Sequence, residues 1–201
     1  MLKNEINIAI IGQGYVGLPL AIEFGKHYRT HGFDIDCHRI LELKAGNDST
    51  LEINKEQMDS SSRLDFTSNL DDLKECNVYI VTVPTPIDEL NNPDLRPLKK
   101  ASKMLGSLIS NEDVVIFEST VYPGATEDDC IPIIEKESGL KYNQDFFAGY
   151  SPERINPGDK ERRLSDIKKI TSGSTEDVAQ FVDDLYSTII TAGTHLAPSI
   201  K

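Results

Sequence analysis

Basic residues are scarce: 21 Lys and Arg stand against 33 Asp and Glu in 201 residues, a net charge of −12. No cluster of Lys and Arg is available to neutralise a run of phosphates, so the composition argues against a nucleic-acid partner. A ligand carrying phosphate must then be held locally rather than by overall charge. Long apolar runs are also missing. The longest, such as residues 8–11 and 114–117, fall far short of the ~20 residues that span a bilayer, and no membrane helix is expected. Residues 1–5 lead directly into one of these runs without a signal-type apolar region, which makes a cytoplasmic location the expectation. Cysteine is rare. Cys37, Cys76 and Cys130 are widely spaced and odd in number, fitting neither a disulfide framework nor a zinc site. No Gly-x-Ser-x-Gly elbow occurs, and His27 and His31 straddle a helix end with no glutamate after His27, so hydrolase and zinc-protease chemistry have no support.

What is present is an alternation of apolar runs with helical patterns, the signature of βαβ units. Strands are expected near residues 6–11, 31–35, 64–67, 78–83, 114–118, 146–150, 167–171 and 189–191. Helices are expected near 15–28, 39–44, 70–74, 98–109, 126–137 and 175–186. The fold class is therefore α/β, a doubly wound, mainly parallel, Rossmann-like sheet with helices on both faces. Residues 1–192 are expected to form this domain, and 193–201, with Pro198-Ser199, to open a central helix of a longer protein. Two long connections, 45–63 and 84–97, stand out, and the second follows a strand's carboxyl end, where open α/β sheets place ligands.

The segment Gly12-Gln13-Gly14-Tyr15-Val16-Gly17 has Gly-x-Gly-x-x-Gly spacing between an apolar strand and a helix, and Asp34 follows 17 residues later at the end of the next strand. In this context Gly12 permits a tight turn, Gly14 admits a pyrophosphate and Gly17 allows close packing of helix on strand, while the helix N-terminus, with Tyr15 and Val16, offers amides to the anion. Asp34 would accept from the adenosine ribose hydroxyls. A 2′-phosphate there would meet a like charge, so NAD is favoured over NADP. Arg39, five residues beyond, is a candidate for stacking on adenine or receiving a phosphate, or is a solvated helix residue. Asp36 is read as the cap of the following helix.

Together with Val83-Pro84-Thr85-Pro86, Glu118-Ser119-Thr120-Val121-Tyr122-Pro123-Gly124 and Ser151-Pro152-Glu153-Arg154 followed by Pro157-Gly158, this loop resembles the UDP-glucose/GDP-mannose dehydrogenase family. It looks most like the branch that oxidises UDP-N-acetylhexosamines at C6, which includes Vi-type capsule enzymes, and the likeness covers only the N-terminal, NAD-binding part. The resemblance implies conversion of a primary alcohol to a carboxylate with two NAD, for capsule or O-antigen synthesis. By the same resemblance Thr85 and Thr120 sit beside the nicotinamide, Glu153 is the acid/base group and Arg154 contacts the UDP-N-acetylhexosamine. Full-length members would be homodimers through the central helix, and this chain alone a monomer. The family's nucleophilic cysteine, in a Gly-Gly-His-Cys segment, has no counterpart here, nor have its assisting lysine and asparagine, so this chain alone is expected to be inactive. Taken without the resemblance, Thr85 and Thr120 are also turn hydroxyls, Glu153 and Arg154 a structural ion pair, and residues 159–163 a solvated face or a contact for the diphosphate. A two-domain NAD dehydrogenase of 3-hydroxyacid type and a non-catalytic dinucleotide sensor remain the alternatives.

Overall fold

The computed structural model describes residues 5–87, 93–154 and 164–201. Eight strands, β1 (Asn7–Ile11), β2 (Arg29–Phe33), β3 (Leu64–Thr67), β4 (Val78–Val81), β5 (Val114–Phe117), β6 (Phe147–Tyr150), β7 (Lys169–Gly173) and β8 (Thr194–Leu196), form one sheet in the order β3-β2-β1-β4-β5-β6-β7-β8. All neighbours are parallel except β6 and β7.

The two-residue period of the strands divides the core. Ala9, Ile11, Tyr79, Val81, Val115 and Phe117 face one layer, and Ile8, Ile10, Val78, Ile80, Val114 and Ile116 face the other. Because both faces are covered, β4 and β5 are apolar at every position. Leu98, Ala101 and Leu105 of α4 (Arg96–Gly106) cover the first face with Ile131 and Ile134 of α5 (Ile131–Ser138). The second face takes Leu20, Ala21 and Phe24 of α1 (Gly17–Phe24) and Val178, Val182, Leu185 and Tyr186 of α6 (Glu176–Ser187). Beyond α1, Leu18 and Ile22 pack with Leu43 of α2 (Cys37–Lys44). Chain order reverses between β1 and β4, and this switch point leaves a crevice at the carboxyl ends of those strands.

Several boundaries depart from expectation. Ile35 is no part of β2 and is 83% exposed. The long connection 45–63 contains a short helix, α3 (Lys55–Asp59), nucleated by reciprocal hydrogen bonds between Asn54 and Gln57. Residues 70–74 form only a 3₁₀ turn, Leu70–Leu73. Expected strand 189–191 is instead the last turn after α6: the amides of Ile189 and Ile190 both donate to the Tyr186 carbonyl, and two buried isoleucines mimic a strand in sequence. Gly193, at φ +82°, then turns the chain into β8, so the sheet continues past residue 192 through Thr194–Leu196. Among the described residues no helix is long and apolar enough to cross a membrane.

Candidate functional site

The crevice is built on the glycine loop. Gly12 lies at φ +99°, a conformation L side chains rarely adopt, and turns the chain sharply out of β1. A Cβ on Gly17 would stand 1.8 Å from the Gly12 carbonyl oxygen, so α1 is seated on the loop too closely for any side chain. At Gly14, by contrast, a Cβ would meet nothing within 4 Å, which leaves backbone open to a ligand. The Thr82 hydroxyl, just past β4, donates to the carbonyls of Ile11 at 3.0 Å and Gly12 at 2.8 Å, locking the turn from the neighbouring strand.

Helix α1, with Val16 at its N-cap position, has no side-chain cap, and neither have α4 and α5, whereas Asp36, Asn54 and Thr175 cap α2, α3 and α6. The N-terminal end of α1 therefore has no side-chain acceptor, and Gly14, Tyr15 and Val16 place the positive end of the helix dipole at the cavity wall, with the Leu18 amide bonded to the Gly14 carbonyl. Asp34 sits opposite. Its Oδ2 accepts from the Gln13 amide at 2.8 Å and its Oδ1 from the Asp36 amide at 3.0 Å, which fixes the carboxylate beside the loop with acceptor capacity to spare.

Two contiguous cavities fill the crevice. One, of about 370 Å³, is lined by Gly12, Gly14, Tyr15, Val16 and Asp34 from the first βα unit, and by Thr85, Glu118, Ser119, Thr120 and Glu153 from the second half. The other, of about 580 Å³, lies beyond Asp34 between Phe33 and Ile35 on one side and Pro97, Ala101 and Met104 on the other, and Asp94, Arg96 and Lys100 also line it. Both fall in the size range of small-molecule sites. Hydrogen bonds from Thr85 Oγ1 to the Thr120 carbonyl at 2.7 Å and from Ser119 Oγ to the Val83 carbonyl at 2.6 Å tie the two loops at the inner end.

The structure thus gathers Gly12, Gly14, Tyr15, Val16, Asp34, Thr85, Thr120 and Glu153 around one space, with Gly17 packed behind it. Arg39 behaves differently. Its Nε donates to the Gln13 carbonyl at 2.8 Å and its guanidinium to Asp48 at 2.7 Å, Glu42 at 3.2 Å and Ser49 at 3.3 Å, so it clamps the glycine loop to the 45–63 connection. Arg154 is exposed and not part of the cavity wall; its amide donates to Glu153 Oε1 at 2.5 Å. Residues 155–163, including the charged stretch 159–163 and the Pro157-Gly158 pair, lie outside the described residues.

Sequence reasoning assigned no role to Glu118, Lys169 and Tyr186. Glu118 is fully buried at the end of β5, its Oε2 2.5 Å from Lys169 Nζ and its Oε1 accepting from the Tyr186 hydroxyl at 2.5 Å. Burial pushes the Glu118 carboxyl up to about 7; Lys169 and the Tyr186 hydrogen bond oppose the rise, while the Glu153 charge adds to it. The available signal was a carboxylate ending an otherwise unbroken apolar strand. Among the described residues no cysteine lines either cavity: burial raises Cys76 to about 12 and Cys130 to about 11, and Cys37 is exposed at the start of α2.

The site matches known proteins along nearly its whole length. Residues 6–190 match the model of the UDP-glucose/GDP-mannose dehydrogenase family, NAD binding domain. The UDP-N-acetyl-D-glucosamine 6-dehydrogenases of Pseudomonas aeruginosa and Salmonella typhi are 62% and 57% identical over 98% of this chain and 47% of their own length. The solved UDP-N-acetyl-D-mannosamine dehydrogenase of Pyrococcus horikoshii superposes with a TM-score of 0.86 at 30% identity, over 97% of this chain and 47% of that one. The chain spans about half the length of these relatives. With a glycine loop, an acid beside it at the end of β2 and a crevice at the switch point all in place, the chain belongs to the UDP-glucose/GDP-mannose dehydrogenase family and carries its NAD-binding domain.

Proposed function

We propose that this chain supplies the NAD site of a UDP-N-acetylhexosamine 6-dehydrogenase, which oxidises the C6 alcohol of the sugar to the uronic acid for capsule or O-antigen synthesis. The observation that carries the reading is the single crevice in which the glycine loop and Asp34 meet Thr120 and Glu153. The substrate class comes from the 62% and 57% identical relatives, whose names specify UDP-N-acetyl-D-glucosamine.

The residues fit the cofactor. The open backbone at Gly14 and the N-terminus of α1 would receive the pyrophosphate, Asp34 the ribose hydroxyls, and the cavity beyond Asp34, between Ile35 and Met104, the adenine. NAD supplies the hydride acceptor. Thr85 and Thr120, joined by their hydrogen bond, fix the inner wall where the nicotinamide and the reacting carbon meet, and Glu153 takes or returns the proton there. Arg154, beside Glu153 and exposed, contacts the substrate. Residues 1–192 with β8 form the cofactor-binding unit; the nucleophile comes from a further domain, and the full-length protein is a cytoplasmic homodimer while this chain alone is a monomer. Light scattering that shows a tight dimer of this chain overturns the last statement.

Calorimetric titration with NAD and NADP tests the reading, followed by UDP-N-acetylglucosamine while absorbance reports NADH. Saturable NAD binding, weaker NADP binding and no sustained turnover support it. Binding of neither dinucleotide reduces the glycine loop to a structural turn and overturns it. Sustained NADH production by this chain refutes the assignment of the nucleophile to a further domain.

A further inference from the structure

The inner wall of the crevice holds more charge than dinucleotide binding uses. Lys169, at the start of β7, is buried; its Nζ lies 2.5 Å from Glu118 Oε2 and 3.6 Å from Glu153 Oε2, and it donates to the Pro152 carbonyl at 3.3 Å. Tyr186 of α6 donates to the other Glu118 oxygen, and Nζ sits 5.9 Å from the centre of its ring. Tyr150 of β6 is a further titratable group whose surroundings include Glu118. One ammonium therefore serves two carboxylates brought together from β5 and from the segment after β6. With both carboxylates ionised, the trio carries one surplus negative charge in a place largely closed to water. Such a unit favours uptake of a single proton, and the cation pairs more closely with whichever carboxylate stays ionised.

We propose that Glu118, Lys169 and Glu153 act as one proton-exchanging unit, in which Lys169 is a positioning residue that shifts its ammonium between the two carboxylates. The inference deepens the proposed function and rests on it for what occupies the cavity. Glu153 faces the cavity and exchanges the proton; Lys169 is absent from its lining. In the forward step an O–H bond of a cavity donor breaks, its electron pair stays on the donor oxygen, and the proton forms an O–H bond on Glu153. Lys169 then pairs with Glu118 alone. Loss of the proton from Glu153 to water restores the shared arrangement, and no electrons are exchanged with a cofactor in either step. The raised ionisation of Glu118, driven first by burial, agrees with a proton held in this unit near neutral pH.

The test is a ¹³C NMR titration of the glutamate Cδ signals in the 201-residue chain, without dinucleotide, with folding of each variant checked from its amide spectrum. In the unsubstituted protein the Glu118 and Glu153 signals are expected to move together at one shared midpoint. In Glu118→Gln the Glu153 midpoint falls by a pH unit or more, because Lys169 is then devoted to it. Lys169→Arg keeps the shared midpoint, since the cation remains. Tyr186→Phe, which keeps all three charges, raises the midpoint at both carboxyls by removing a hydrogen bond to the ionised form. A Glu153 signal that ignores Glu118→Gln, or a Tyr186→Phe effect confined to Glu118, overturns the proposal. Coupled titration beside absent NAD binding overturns the function proposed above and leaves the unit standing.

Discussion

The amide of Gln13 donates to the Asp34 carboxylate at 2.8 Å, so the acid at the end of β2 and the glycine loop after β1 form one rigid unit. Asp34 holds the loop and lines the cavity, and in the function proposed above it also accepts from the ribose. Asp34→Ala is expected to weaken NAD roughly 10- to 100-fold, the loss of hydrogen bonds to a charged acceptor, and to narrow the gap to NADP by removing the like charge. Calorimetry with both dinucleotides checks this. Unchanged affinity for both places the ribose contact elsewhere; Asp36 is a poor substitute, because its side chain accepts from the His38 amide as the cap of α2.

Gly14 and Gly17 separate binding from folding. Alanine at Gly14 meets no neighbour and leaves Tm within about 2 °C while obstructing the pyrophosphate. Alanine at Gly17 collides with the Gly12 carbonyl and the Thr82 hydroxyl, and costs at least about 1–3 kcal/mol of stability. Thermal melts with and without NAD distinguish the two: the Gly14 variant melts normally and gains little from NAD, and the Gly17 variant melts early. Normal NAD binding by Gly14→Ala removes the pyrophosphate from this loop.

Arg39 is a clamp in this structure. Asp48, its partner, is half-buried with its side chain turned out of contact with water; burial works against its charge, but hydrogen bonds from Thr50, Ile53 and Arg39 overcome this and hold its carboxyl below the usual range. Arg39→Met removes the charge partner of that carboxylate, which keeps its hydrogen bonds from Thr50, Glu52 and Ile53, and is expected to cost about 1–3 kcal/mol in urea unfolding, with the ratio of NAD to NADP affinity unchanged. A selective loss of NADP affinity returns Arg39 to the cofactor's phosphate.

Thiol reactivity is expected to divide the cysteines. Cys37 is exposed and reacts promptly with a disulfide reagent at pH 8, whereas Cys76 and Cys130, buried and with raised ionisation, react only on unfolding. A second fast thiol in the folded chain reopens the question of a nucleophile within it.

The parts legible in the sequence were those written in local pattern: the strand–glycine–helix–acid succession, the unbroken apolar runs of β4 and β5, and the ordered motifs at Thr85, Thr120 and Glu153. The rest depended on contacts between distant residues. Lys169 meets Glu118 across 51 positions, and Tyr186 meets it across 68. A lysine opening a strand carries no local mark of complete burial, and Arg39 at a helix start looks solvated until Asp48 is seen against it. The last strand was misplaced for a similar reason: Ile189 and Ile190 are apolar because they cap a helix that packs on the sheet, not because they extend it.

The buried carboxyl of Glu118 makes stability depend on pH in a direction opposite to ordinary salt-bridged acids. Its proton is held up to about pH 7 in the folded chain, against 4.5 as the ordinary value, so between these limits the native state binds more protons than the unfolded one. Stability from this group is therefore fully present below about pH 4.5, declines as pH rises through the window and is lost above 7. Its ceiling is roughly 3 kcal/mol, from the shift at 1.36 kcal/mol per pH unit. Glu118→Gln keeps the shape of the protonated side chain and removes the ionisation of this group. Urea unfolding from pH 5 to pH 8 should then show the unsubstituted protein losing stability relative to Glu118→Gln as pH rises, with the change concentrated below pH 7. Parallel curves for the two proteins mean that Glu118 is ionised throughout, with Lys169 and Tyr186 together outweighing its burial.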